Sequence, residues 1–181
     1  MSGSRSKTKG SSWERDIAKY LSEQHNASFI RASHSGAYIG GSNNFRKKIL
    51  DQSQIKNFKG DIVPPETWVN FNAEAKNYAD FPFHLLFQGV VPQLEQWLDQ
   101  LMAVAQAHDF NILIMKFNRK GSFIAHQPTP SLILNSNHLL YKSKHHGSWI
   151  IQDFKTFWST NSKTIQHICE NRPPEQIINN Q

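Results

Sequence analysis

Residues 68–78 read Trp-Val-Asn-Phe-Asn-Ala-Glu-Ala-Lys-Asn-Tyr. Val69, Phe71, Ala73 and Ala75 alternate with Asn70, Asn72, Glu74 and Lys76. That period of two fits a strand with one apolar and one polar face. Glu74 and Lys76 then project to the same side. The small side chains of Ala73 and Ala75 permit close packing behind them, so a central strand is expected. Asn70 and Asn72 share the Glu74 face and are candidates for touching a ligand.

Upstream, Gly60-Asp61-Ile62-Val63 reads as a short strand stopped by Pro64 and Pro65. Adjoining strands would bring Asp61 beside Glu74. A Glu-x-Lys tripeptide alone says little, and the chain also holds Asp153-Phe154-Lys155. Asp153, however, stands at an apparent helix start, where Asp serves as a cap, and no acid on a short strand precedes it. Two carboxylates from neighbouring strands suit Mg2+, a hard cation that takes oxygen ligands and keeps several waters. Such a metal polarises a phosphoryl oxygen and acidifies a bound water. A nearby Lys76 ammonium, a compact point charge, could orient that water and offset charge on phosphorus. The bland alternative is a surface ion pair of Glu74 and Lys76.

Around this centre, Ser11 and Ser12 can cap a helix running to about Gln24. Trp13, Ile17, Ala18, Tyr20 and Leu21 make its apolar stripe, and Glu14 falls inside that stripe. A carboxylate there needs a partner, either a basic side chain or a metal. Residues 28–37 read as a strand and turn. Residues 92–108 form an amphipathic helix, and residues 111–117 an apolar run of the kind a doubly covered strand shows. Residues 123–126, 132–134 and 148–151 are further short strands, and a small helix follows Asp153. The order predicts one mixed α/β domain over residues 11–170, with no internal repeat. Residues 1–10 read as a disordered basic arm and 171–181 as a flexible tail.

The chain has 181 residues, enough for one ordinary core, and a net charge of +6. That excess favours a polyanionic partner. Residues 38–59 carry Arg46, Lys47, Lys48, Lys56 and Lys59 against Asp51 alone, a basic loop suited to a phosphate backbone. Arg31, on the strand before it, is a further candidate for phosphate. Cys169 is the only cysteine, which excludes an intramolecular disulfide and a cysteine-based zinc site. The nine histidines show no zinc spacing. His145-His146, flanked by Lys142, Lys144 and Gly147, reads as a basic hairpin turn, and His34 as a polar turn residue. Residues 1–12 lack the apolar stretch of a signal peptide, and no run of about 18 apolar residues could span a bilayer. The expectation is a cytoplasmic protein, nucleoid-associated or, if phage-encoded, in the host cytoplasm, with no membrane partner and no small-molecule cofactor.

Several motifs in one order carry a resemblance. They are Trp13-Glu14-Arg15-Asp16, Phe29-Ile30-Arg31 leading to Ser35-Gly36-Ala37, Gly60-Asp61-Ile62-Val63, and Ala73-Glu74-Ala75-Lys76. The helix near Gln93 to His108 and the strand Ile112-Leu113-Ile114-Met115-Lys116-Phe117 follow. Over residues 11–127 the chain resembles the PD-(D/E)XK nucleases, and within them the archaeal-type Holliday junction resolvases and their phage relatives. The resemblance implies a restriction-endonuclease-like core, a central mixed β-sheet flanked by helices. It implies an Mg2+-dependent endodeoxyribonuclease, with Mn2+ able to substitute, acting on branched or duplex DNA as a homodimer. It implies Asp61, Glu74, Glu14 and the Ala75 backbone carbonyl at the metal, Glu14 and Lys76 in the catalytic set, and Ser35 near the DNA; Arg31 and the basic-loop residues Arg46, Lys47, Lys48 and Lys59 are the candidates for DNA contact that charge and position supply. Residues 38–59 and the prolines after Val63 depart from the family pattern, and the region past residue 128 matches none of its motifs. A restriction- or repair-type nuclease on linear duplex, a non-catalytic DNA binder on the same fold, and an RNA-directed protein are the alternatives.

Overall fold

The computed structural model describes residues 3–33 and 59–171. In chain order these form α1 (Gly3–His25), β1 (Ile30–Arg31), β2 (Ile62–Val63) and β3 (Phe71–Tyr78). A 3-10 turn (Phe83–Phe87), α2 (Pro92–Ala103), β4 (Phe110–Phe117) and β5 (Gly121–His126) follow. The chain continues as β6 (Leu139–Lys142), β7 (Ser148–Asp153) and α3 (Phe154–Glu170). Residues 38–58 of the expected basic loop, with Arg46, Lys47 and Lys48, and also His34 and Ser35, lie outside the described residues, as does the tail beyond Asn171.

The main sheet has the order β3-β4-β5-β7-β6. Only β3 and β4 run parallel, Glu74 opposite Leu113 and Lys76 opposite Met115; the other pairs are antiparallel. The parallel pair needs a crossover, which α2 supplies. β4 explains the layering. Ile112 and Ile114 enter a core shared with α1 and α3 through Trp13, Ile17, Leu21, Phe157 and Trp158. Leu113, Met115 and Phe117 enter a second core with Leu94, Trp97, Leu98 and Leu101 of α2. The apolar run from Ile112 to Met115 is what a sheet covered on both faces requires. The result is the expected α/β core, a mixed five-stranded sheet flanked by three helices.

β3 is an edge of this sheet, not the central strand expected from Ala73 and Ala75. The side chains of Ala73 and Ala75 face the core shared with α1, while the β1–β2 ribbon meets the β3 backbone along the edge. Asp61 N donates to Ala73 O at 2.8 Å, and Ala32 N donates to Asp61 O at 2.9 Å. Asp61 thus sits between the ribbon and the sheet. Gly60 makes the approach possible. It has φ +69°, and a Cβ there would lie 2.4 Å from Ala73 O.

Other boundaries differ from the sequence expectation. α1 begins at Gly3, eight residues before Ser11. α2 stops at Ala103, short of His108, because Asp109 Oδ2 takes the Gln106 N–H at 2.6 Å and turns the chain. Residues 132–134 form no strand: Asn161 bonds the Ile133 N–H and C=O, each at 2.8 Å, in place of a neighbouring strand. β6 was not anticipated. It pairs with β7 across the turn that holds His145 and His146. Glu95 of α2 fastens that turn by accepting from Tyr141 Oη, Ser143 Oγ and Lys144 N.

Candidate active site

Four side chains gather at the β3 edge, brought there by three local rules. The β3 alternation sends Glu74 and Lys76 to the α2 side. There Lys76 Nζ donates to Glu74 Oε1 and to Gln100 Oε1, each at 2.6 Å. The turn at Gly60 brings Asp61 against the edge. Its Oδ2 accepts from Ala75 N at 2.9 Å, so its carboxylate is tied to the strand between Glu74 and Lys76. In an extended strand a residue's N–H and C=O point to the same side, so the Ala75 carbonyl faces this edge too. The α1 stripe presents Glu14, whose Oε2 accepts from Arg31 Nε of β1. The sequence left Glu14 with two possible partners, and in this structure the basic one is in place.

The electrostatics set Asp61 apart. Glu14 is paired with Arg31, and Glu74 with Lys76. Asp61 is 7% exposed and has no ion pair among the described residues. Its pKa is pushed up to about 7, first by burial and then by the charge of Glu74; Glu14 adds to the rise, while the Ala75 N–H and Lys76 oppose it. An anion held at that cost fits a nearby divalent cation. No three His, Cys, Asp or Glu side chains converge as a ready-made metal cluster among the described residues. The available donors are therefore Asp61 and Glu74, with the Ala75 carbonyl beside them. So few protein ligands suit a cation that completes its shell with water and phosphate oxygens.

Three sequence expectations change. Lys59 does not face a ligand: it is buried and ion-paired with the buried side chain of Asp109. Burial lowers its pKa, and Asp109 opposes that. Asn72 is fully buried because α2 covers that part of the β3 face. Its Nδ2 donates to Leu101 O at 3.0 Å and to Asn111 Oδ1 at 2.7 Å. Asn70 is buried as well, with its Nδ2 bonded to Asn171 O at the end of α3. The second Asp-x-Lys behaves as its position implied: Asp153 caps α3 by accepting from Thr156 N at 2.8 Å. Gln100 is the one site residue the sequence did not mark. It is a polar residue at the end of an amphipathic helix, and no spacing rule links it to Lys76.

A strand edge carrying Asp and Glu-x-Lys, on a mixed sheet between helices, defines a nuclease fold of the PD-(D/E)XK superfamily. A family model described as "Phage putative PDDEXK endonuclease" matches residues 5–179, and the chain belongs to that family. No curated protein and no solved structure matches the chain.

Proposed function

We propose that the protein is an Mg2+-dependent DNA endonuclease, with Mn2+ able to substitute, and that it resolves four-way DNA junctions as a homodimer in the cytoplasm. The observation that carries the reading is the Asp61–Glu74–Lys76 set, with Asp61 buried beside a second carboxylate. Asp61, Glu74 and the Ala75 carbonyl would hold the cation, and Glu14 would assist from α1. The metal would supply Lewis-acid polarisation of the scissile phosphate and a water of lowered pKa.

The chain's own groups do the rest. Asp61 is kept in register with β3 by the Ala75 N–H, which fixes one ligand relative to the other. Lys76 stands next to Glu74 and would orient the attacking water and offset charge on the phosphorus. Arg31, at the rim, would contact phosphate, releasing Glu14 toward the metal. The ordered motifs that resemble junction resolvases support the substrate, and the basic residues Arg46, Lys47 and Lys48, with Ser35, would add backbone contacts. A four-way junction has two-fold symmetry and needs paired cuts, which a symmetric dimer provides.

The test is cleavage of a labelled four-way junction beside matched linear duplex, with Mg2+, with Mn2+ or with chelator. Wild type should give paired cuts in the junction with either metal and none with chelator. Asp61→Ala, Glu74→Ala and Lys76→Ala should each lose roughly 100-fold or more. Cleavage of linear duplex alone would retain the nuclease and remove the junction assignment. Tight binding without cleavage under either metal would leave a non-catalytic DNA binder.

A further inference from the structure

Lys76 is held from two elements at once. Its ammonium donates to Glu74 on its own strand and to Gln100 on α2 at the same distance, 2.6 Å. The two acceptors differ in kind. Glu74 neutralises the charge, whereas the Gln100 amide oxygen gives it a direction and no countercharge. These holds come into conflict when the site is used. The carboxylate that grips Lys76 is one of the two placed to receive a divalent cation, and that cation would draw Glu74 away while repelling the ammonium. Lys76 then needs a second acceptor to stay in place, and that acceptor is already bonded.

We propose that Gln100 is a positioning residue for Lys76, retaining the ammonium at the site when Glu74 turns to a divalent cation. The inference rests on the metal-site reading above. The helix around Gln100 is suited to the task. Leu98 and Leu101 are fully buried, and Leu101 O is bonded to Asn72 of β3, so this end of α2 is fixed to the catalytic strand. An amide is also the fitting group. A carboxylate at position 100 would itself compete for the cation, and an apolar residue would leave Lys76 on Glu74, opposing metal entry.

The experiment is calorimetric titration of the full-length protein with Mn2+ in the absence of DNA, together with cleavage kinetics in Mg2+. The variants are Gln100→Met, which keeps length and removes the acceptor, Lys76→Ala, the double variant, and Glu74→Ala. Gln100→Met should weaken Mn2+ binding roughly tenfold and lower kcat by a similar factor with KM for DNA unchanged, the size expected from one hydrogen bond to a charged group. In the Lys76→Ala background the same substitution should change Mn2+ affinity less than about twofold, because the effect passes through Lys76. An equal tenfold effect in both backgrounds, or none in the wild type, would overturn the proposal. Mn2+ binding that depends on Glu74 but not on Gln100 would remove this inference alone. Mn2+ binding absent from the wild type, or unaffected by Glu74→Ala, would remove the metal-site reading and this inference with it.

Discussion

Asp61 is a buried carboxyl with no ion pair among the described residues. Its folded pKa of about 7 lies above the ordinary carboxylate value, chiefly through burial and Glu74. A raised carboxyl pKa makes the folded state hold the proton more tightly than the unfolded one. The metal-free protein therefore has this stability in full below about pH 4 and loses it as pH rises through about 7. Asp61→Asn should raise Tm by several degrees at pH 8 in chelator and have little effect at pH 4. Mg2+ should raise the wild-type Tm at pH 8 and leave that of Asp61→Asn unchanged; thermal melts at both pH values check both points. Asp61, Glu74 and Lys76 were legible because each side chain's place follows from strand alternation and a neighbouring short strand. Lys59 was misread because charge alone does not reveal an acidic partner fifty residues on, here Asp109. Gln100 was invisible for the same reason: its contact with Lys76 depends on how α2 crosses the sheet.

At the scale of elements, the β1–β2 ribbon matters more than its length implies, because it alone brings Asp61 to β3. Gly60→Ala would combine a left-handed φ with a Cβ 2.4 Å from a backbone carbonyl that cannot swing aside. We expect a stability loss of about 1–3 kcal/mol and a fall in cleavage on the order of 100-fold, since a small displacement of a ligand is expensive. Chemical denaturation and cleavage rates measured on one preparation decide it; wild-type activity would mean that the ribbon does not set the site. The periodic elements, α1, β3, α2 and β4, could be read from sequence, as their faces are buried in regular stripes. The strand expected at residues 132–134 failed because a single side chain, Asn161, satisfies the backbone there. β6 escaped notice because it is four residues long and only Tyr141 is buried. α3 was expected as a small helix and runs to Glu170, its polar face having hidden the stripe that ends in Ile165 and Cys169.

For the whole molecule, acid should unfold what Asp61 protonation alone would stabilise. His126 is buried, stacked on Phe157, and bonded to Gln127 O and Gln152. Burial lowers its pKa below the ordinary value, and His25, which accepts from Trp158 Nε1 in the same core, is lowered likewise. A lowered histidine pKa means the folded state resists the proton that the unfolded chain accepts. The stability is present above about pH 6.5 and drains away as pH falls below it. In the Asp61→Asn background, where the opposing carboxyl is gone, Tm should fall steadily from pH 7 to pH 5. A His126→Gln variant should show a shallower fall, and identical slopes would assign the acid sensitivity elsewhere.

The hydrogen bond from Ala32 to Asp61 has a further meaning for the polymer between them. The residues that lead into segment 34–58 and out of it are tethered side by side at the β3 edge, and Lys59, which follows the segment, is locked to Asp109. Both described ends of that stretch are therefore pinned beside Asp61, so the chain leaves the β3 edge and returns to it at one place. One backbone hydrogen bond thus acts as a clasp, holding entry and exit of the intervening chain against the strand that carries Glu74 and Lys76.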